Sequence, residues 1–275
     1  MFNSRHFNSI SIWGALCVAG GLMTACDDVP EADRFIEVER PVVARKVLIQ
    51  EFTGLNCVNC PTGAAKVHEI QEYYPNSVIA VSLHPGGTGF SGPIGNFSLN
   101  TDLSRVYYDY FTPAGFPAAM IDGSTPETNV NLWMGAVSKR ISVPAPAEIS
   151  LQSDYDDASR NLTINYEVDI NNVYSQNLNI NLWIVESGIV GPQKSGNRLI
   201  FDYVHNHVFR TSLTGDWGTS IGNYFIPEQT ITGSASIQLD EKWKPENCHI
   251  VAFLMNDAKE VQQAEEIAVI AEAAE

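Results

Sequence analysis

RKVLIQEFTGLNCVNCPTGAAKVHEIQEYYPNSVIAVSLH, residues 45–84, decides the fold. Arg45–Phe52 is rich in branched apolar residues and reads as a strand. A brief loop leads to Cys57. Over 62–74, Ala64, Val67, Ile70 and Tyr74 recur on one helical face, and Pro75 ends the run. Residues 77–84 are nearly continuously apolar, as in a parallel strand buried on both faces. The order strand, C-x-x-C, helix, strand is the setting in which a cysteine pair reads as a redox motif rather than half a metal site. Such a pair supplies only two of the four ligands that zinc wants, so metal binding is the weaker alternative.

Working outward, 85–100 is rich in glycine and proline and contains Gly87-Thr88-Gly89-Phe90-Ser91-Gly92. A dinucleotide fingerprint needs a helix to open at once, and here Pro93, Gly95 and Asn96 follow. The segment reads instead as a mobile loop over the active face. A helix over 102–111, a strand over 118–122 and a helix over 129–141 come next, and Pro144-Ala145-Pro146 marks a linker. Beyond it the texture becomes strand-like, over 148–155, 162–170, 178–186, 236–239, 249–255 and 261–269, as in an antiparallel sandwich. Residues 201–213 are ambiguous between helix and strand. The expected fold is an α/β domain over 44–143 followed by an all-β sandwich over 147–275.

The N-terminus has its own pattern. Arg5 and His6 precede an apolar run over 10–25, with no acidic residue before Asp27. The run is short for a spanning helix and suits a signal peptide over 1–25. It ends Leu22-Met23-Thr24-Ala25-Cys26, which resembles the lipobox of bacterial lipoproteins. That resemblance implies an acylated Cys26 and attachment to a membrane, with 26–43 as an acidic tether. The whole chain carries 16 Lys+Arg against 32 Asp+Glu, a net charge of −16. Nucleic acid is excluded as a partner, because a phosphate backbone demands clustered cations. Of five cysteines, Cys17 lies in the leader and Cys248 stands alone.

The chemistry centres on Cys57 and Cys60. A cysteine at a helix start is favoured as thiolate, the attacking species in disulfide exchange. Cys57 is therefore the expected nucleophile and the more exposed sulfur, with Cys60 the deeper resolving thiol. The stretch 48–60 is similar to the strand, loop and C-x-x-C of the thioredoxin-like superfamily, although Asn56 stands where that family usually has Trp. The resemblance implies that Glu51 is a buried acid beneath the cysteines, able to take the Cys60 proton; the alternative is a carboxylate facing water. It also implies that Phe116-Pro117, ahead of the strand at 118–122, carries a cis bond and binds extended peptide. No cofactor beyond the Cys57–Cys60 disulfide is implied. His84, at a strand end, either tunes Cys57 or caps the surface. His205 and His207 would share a strand face, as a metal pair or a structural cluster.

Several later segments are similar to the Omp28-related outer-membrane lipoproteins of Bacteroidetes-type bacteria: Ile189–Gln193, Asp202–Arg210 with its Tyr-Val-His-Asn-His-Val run, 248–253 and 259–266. This resemblance implies a thioredoxin-like domain joined to a β-rich domain at the outer membrane, on its periplasmic or cell-surface side. The leading expectation is a thiol–disulfide oxidoreductase acting on exported proteins with thiols or disulfides. The rival is a binding protein or adhesin in which the first domain is scaffold.

Overall fold

The structure, a computed structural model, describes residues 42–270. The expected leader, Cys26 and the expected tether up to residue 41 lie outside the described residues.

The chain opens with β1 (Val47–Phe52), α1 (Cys60–Tyr73) and β2 (Val78–Leu83). β1 and β2 pair in parallel, with Val47 opposite Val78 and Phe52 opposite Leu83. Every β1 residue is buried, the polar Gln50 and Glu51 among the apolar ones included. α2 (Asp102–Phe111) starts where Thr101 accepts a hydrogen bond from the Ser104 N–H. β3 (Ala118–Ile121) lies antiparallel to β1. α3 (Trp133–Ile141) follows a short 3₁₀ turn and ends on Lys139 and Arg140.

The second half is all strand: β4 (Ala147–Asp156), β5 (Asn161–Ile170), β6 (Leu178–Glu186), β7 (Ile189–Ser195), β8 (Arg198–His205), β9 (Val208–Ser212), β10 (Thr219–Gly222), β11 (Thr230–Gln238), β12 (Cys248–Met255) and β13 (Val261–Ala268). The ambiguous stretch 201–213 resolves into β8 and β9 around a tight turn, where His207 adopts φ 56°. The strand foreseen only at 236–239 is β11, longer and earlier.

β4, β5 and β11 form a three-stranded antiparallel sheet in the order β11-β5-β4. Its inner residues Ile149, Leu162, Ile164 and Val168 share a core with Ile180, Leu182, Ile250 and Leu254 of β6 and β12. This is the expected sandwich. On the opposite face of β6 and β12, Trp183, Val185, Val251 and Phe253 join Leu103 and Tyr107 of α2 and Leu48, Phe52 and Met120 of the first half in a single cluster. Val67, Ile70, Trp133 and Val137 of α1 and α3 cover the other side of β1–β3.

The boundary expected at 143–147 is a change of topology, from α3 to β4, and not a gap. β2 continues into β9, where Ser82 pairs with Val208 and its N–H donates to the His207 carbonyl at 2.7 Å. One sheet thus runs β13-β12-β6-β9-β2-β1-β3. The described residues, 42–270, form one compact unit. The physical reason is the open edge of β2: a strand left there with unpaired N–H and C=O groups needs a neighbour, and β9 provides it. A second tie lies at the start of β1. Arg45, Asp122 and Arg140 form a buried ion cluster, and both guanidinium groups also donate to the Val261 carbonyl at the head of β13.

Candidate functional site

Cys57 and Cys60 are joined, with Cα atoms 5.4 Å apart. α1 begins at Cys60, so Cys57 lies ahead of the helix and not at its first residue. The cause is Pro61: with no N–H to place and a preset φ, it suits the first helical turn and fixes the start there. Cys57 is held instead in a turn, its N–H donating to the Gly54 carbonyl at 3.0 Å and its own carbonyl accepting from the Cys60 N–H at 3.4 Å.

Neither sulfur is exposed. Cys57 and Cys60 are each only 2% accessible, which overturns the expectation that Cys57 is the more open of the two. Two segments cover them. The 85–100 loop is bound to the cysteine loop: Asn56 N–H donates to the Phe90 carbonyl at 2.8 Å, Asn56 Nδ2 to the Gly92 carbonyl at 2.7 Å, and Ser91 Oγ to the Thr53 carbonyl at 2.8 Å. At Gly54 a Cβ would overlap the Phe90 carbonyl, so the two loops approach as only glycine permits. The Gly87–Gly92 run lies as a strap, and no helix opens directly after it. The second cover is the β7–β8 hairpin. The buried Gln193 amide reaches the Gly54 and Cys57 carbonyls at 3.2 and 3.1 Å, and the N–H groups of Lys194 and Gly196 donate to Leu55 and Val58.

The Phe116–Pro117 bond is cis. Phe116 is itself nearly buried, its ring stacked 4.9 Å from Phe90 and 6.1 Å from Phe52. Pro117 lies against the first turn of α1, where a Cβ on Gly63 would stand 2.8 Å from it.

Glu51 faces the same turn. Strand alternation puts it with Val47 and Ile49 on the α1 side of β1. It is 3% exposed, and burial pushes its carboxyl up to about 8. Its Oε1 has no hydrogen-bond partner. Glu51 is thus not an edge carboxylate exposed on the surface.

Beside Glu51 opens a cleft of about 100 Å³, lined by Glu51, Cys60, His84, Tyr203 and His205 among others. Cys57 is not among the lining residues. His84 is buried at the end of β2, facing this cleft and not the surface, so the surface-cap reading fails. Its ring centre lies 6.2 Å from that of His205. Burial lowers both imidazoles, to about 3 for His84 and about 4 for His205, so both are neutral at pH 7. His205 and His207 do not share a strand face, because the chain turns between them. Among the described residues no group of three or more side chains is placed to hold a metal ion. Cys248 is a free thiol in the sandwich core, raised by burial to about 12.

Gln193 and the His84–His205 pairing escaped the sequence reading. Gln193 lies in a segment quoted only for resemblance, and nothing local reveals which loop it covers.

Residues 104–272 match the family model described as outer membrane protein Omp28. No curated protein matches the chain. Among solved structures, HBP35 of Porphyromonas gingivalis is similar with a TM-score of 0.65 at 14% identity, over 82% of this chain and 76% of that one. A protein of Agrobacterium tumefaciens is similar with a TM-score of 0.52 at 13% identity, over 84% and 98%. At such identity the likeness concerns the fold: a thioredoxin-like β-α-β sheet followed by antiparallel sheets.

Proposed function

The chain belongs to the Omp28 family of outer membrane proteins, and from that premise we propose that it is a lipid-anchored envelope protein whose Cys57–Cys60 pair exchanges disulfides with exported proteins. The anchor rests on the lipobox-like ending at Cys26 and the apolar run before it.

The observation that carries the redox reading is that Cys60 and the buried Glu51 line one cleft while Cys57 does not. In the reduced protein Cys57 thiolate attacks a partner disulfide, forming a mixed disulfide and releasing one partner thiolate. Glu51 takes the Cys60 proton, and the Cys60 sulfur then attacks Cys57, closing the Cys57–Cys60 bond and releasing the second partner thiolate. Two electrons pass from the pair to the partner; the reverse sequence oxidises partner thiols. Phe116 and Pro117 border the pair and serve as the surface for extended peptide once the covers part.

The second reading, a binding protein or adhesin with a stapled scaffold, is favoured by one observation: both sulfurs are shut beneath the β7–β8 hairpin. Equilibration of the full chain with glutathione buffers separates the two. A potential above about −300 mV, with transfer to a partner disulfide, supports exchange; a lower potential with no transfer favours the scaffold.

A further inference from the structure

The cleft beside Cys60 has a composition that redox chemistry alone does not require. Among its side chains that are nine-tenths buried or more are Glu51, His84 and His205. Each presents a polar atom without a protein partner, namely Glu51 Oε1, His84 Nδ1 and His205 Nε2. Left dry, each of these atoms forfeits the hydrogen bond that water gives it in the unfolded chain. The space between them is about 100 Å³, and a single water needs only about 10–15 Å³ of such volume together with two to four polar neighbours. The cleft also reaches solvent, because His68, Val204 and Asn206 on its lining are exposed.

We infer that this cleft holds a short file of water which hydrogen-bonds Glu51 to the imidazoles of His84 and His205, and that Glu51 exchanges its proton with solvent along that file. The inference deepens the redox reading, since it concerns the acid assigned to Cys60, but the water file does not depend on that reading. A neutral imidazole has one N–H and one lone pair, so it serves water as donor and acceptor without placing a charge beside the carboxyl. Other titratable groups on the cleft are Cys60 and His68 of α1, Tyr203 of β8 and His207 of the following turn. No Asp, Lys or Arg lines it. Tyr203 is raised by burial and, second, by the Glu51 charge, which places it within electrostatic reach of that carboxyl. When Glu51 releases its proton, the proton moves to the nearest water and leaves at the mouth beside Asn206, and the carboxylate keeps water as its hydrogen-bond donor. His84 and His205 are positioning residues: they hold the water, not the reacting sulfurs.

The test follows Glu51 itself. The carboxyl carbon-13 shift of Glu51 is titrated in the full chain and in His84→Phe, His205→Phe and His84→Gln. Each Phe variant should dry the cleft and raise the Glu51 midpoint by about one unit or more, while His84→Gln, which can still bind water, should stay near wild type. A Glu51 midpoint unmoved in folded Phe variants would overturn the inference. In the wild-type protein, magnetisation transfer from water to the His84 and His205 ring protons should be seen, and its absence would overturn it equally, even were the Phe variants not to fold. Loss of disulfide transfer activity plays no part in either readout. A chain that shifts as expected yet exchanges no disulfide would strike the redox reading and leave the water file standing.

Discussion

Gly63 and Glu51 occupy one space: a Cβ at Gly63 would overlap the Glu51 Oε1. A glycine in the first turns of a helix is normally a weakness, and alanine there gains about 1 kcal/mol. Here the sign should reverse. Gly63→Ala forces either Glu51 or Pro117 to move, and overpacking of this kind costs about 1–3 kcal/mol. Urea unfolding should show a net loss of stability, and a net gain would mean that Glu51 does not hold the place described.

The Gln193 amide should govern access to the sulfurs. With both cysteines buried, alkylation of the reduced protein should be slow at either one. Gln193→Ala removes contacts to the Gly54 and Cys57 carbonyls, and at about 1 kcal/mol for each of the two bonds should raise the rate at Cys57 by roughly thirtyfold. Iodoacetamide labelling followed by peptide mapping reads it. Unchanged labelling would show that the hairpin is not what shields the pair.

Trapping distinguishes the two sulfurs. Cys60→Ser should accumulate mixed disulfides with envelope proteins, because nothing releases the partner; Cys57→Ser should not. Non-reducing gels of membrane extracts give the result. Equal and negligible trapping would favour the scaffold reading.

The raised carboxyl of Glu51 has a consequence for stability. Between the ordinary glutamate value of 4.5 and its folded value of about 8, the folded chain keeps a proton that the unfolded chain has lost. Stability should therefore fall as pH rises through that window and level off above it. Glu51→Gln, a neutral mimic, should flatten that slope. The variant should match wild type below pH 4.5 and exceed it above pH 8 in denaturation midpoint. A parallel slope in both proteins would refute the buried acid.

Cutting the chain at the linker should yield two unstable pieces. Residues 44–143 would leave the β2 edge bare and Arg45 without its Val261 carbonyl; residues 147–275 would expose Trp183, Phe209 and Phe253. Neither should unfold cooperatively alone. Within the whole chain, Asp122→Ala strands the buried Arg45 and should cost about 3–5 kcal/mol by urea denaturation.

What could be read from the sequence was what lies close along it. β1, α1, β2 and the cysteine pair follow one another within a few dozen residues, and each has its own apolar period or breaker. Pro117 before a short strand and Glu51 opposite a helix were legible through resemblance to known arrangements. The start of α1 was missed by three residues for the cysteine argument, although Pro61 was there to give it. His84 and His205 meet because β9 pairs with β2, and no local pattern announces which edge a strand will seek. The hairpin cover was hidden for the same reason. The hydrogen bonds that tie the glycine-rich 85–100 loop to Asn56 and Thr53 belong to tertiary structure alone.

Gln193 stands 136 residues beyond the Cys57 it covers. A chain is made from its N-terminus, so the strand, the cysteines and the helix between β1 and β2 all exist well before their cover does. For that interval the pair lacks one of its two covers, and closure is complete only when the hairpin arrives. Birth order therefore gives the pair an early interval of easier access that ends when the hairpin closes over it. A nascent chain halted short of residue 189 should take up a maleimide at Cys57 that the finished, reduced chain refuses; equal uptake by both would show that time of synthesis leaves no such mark.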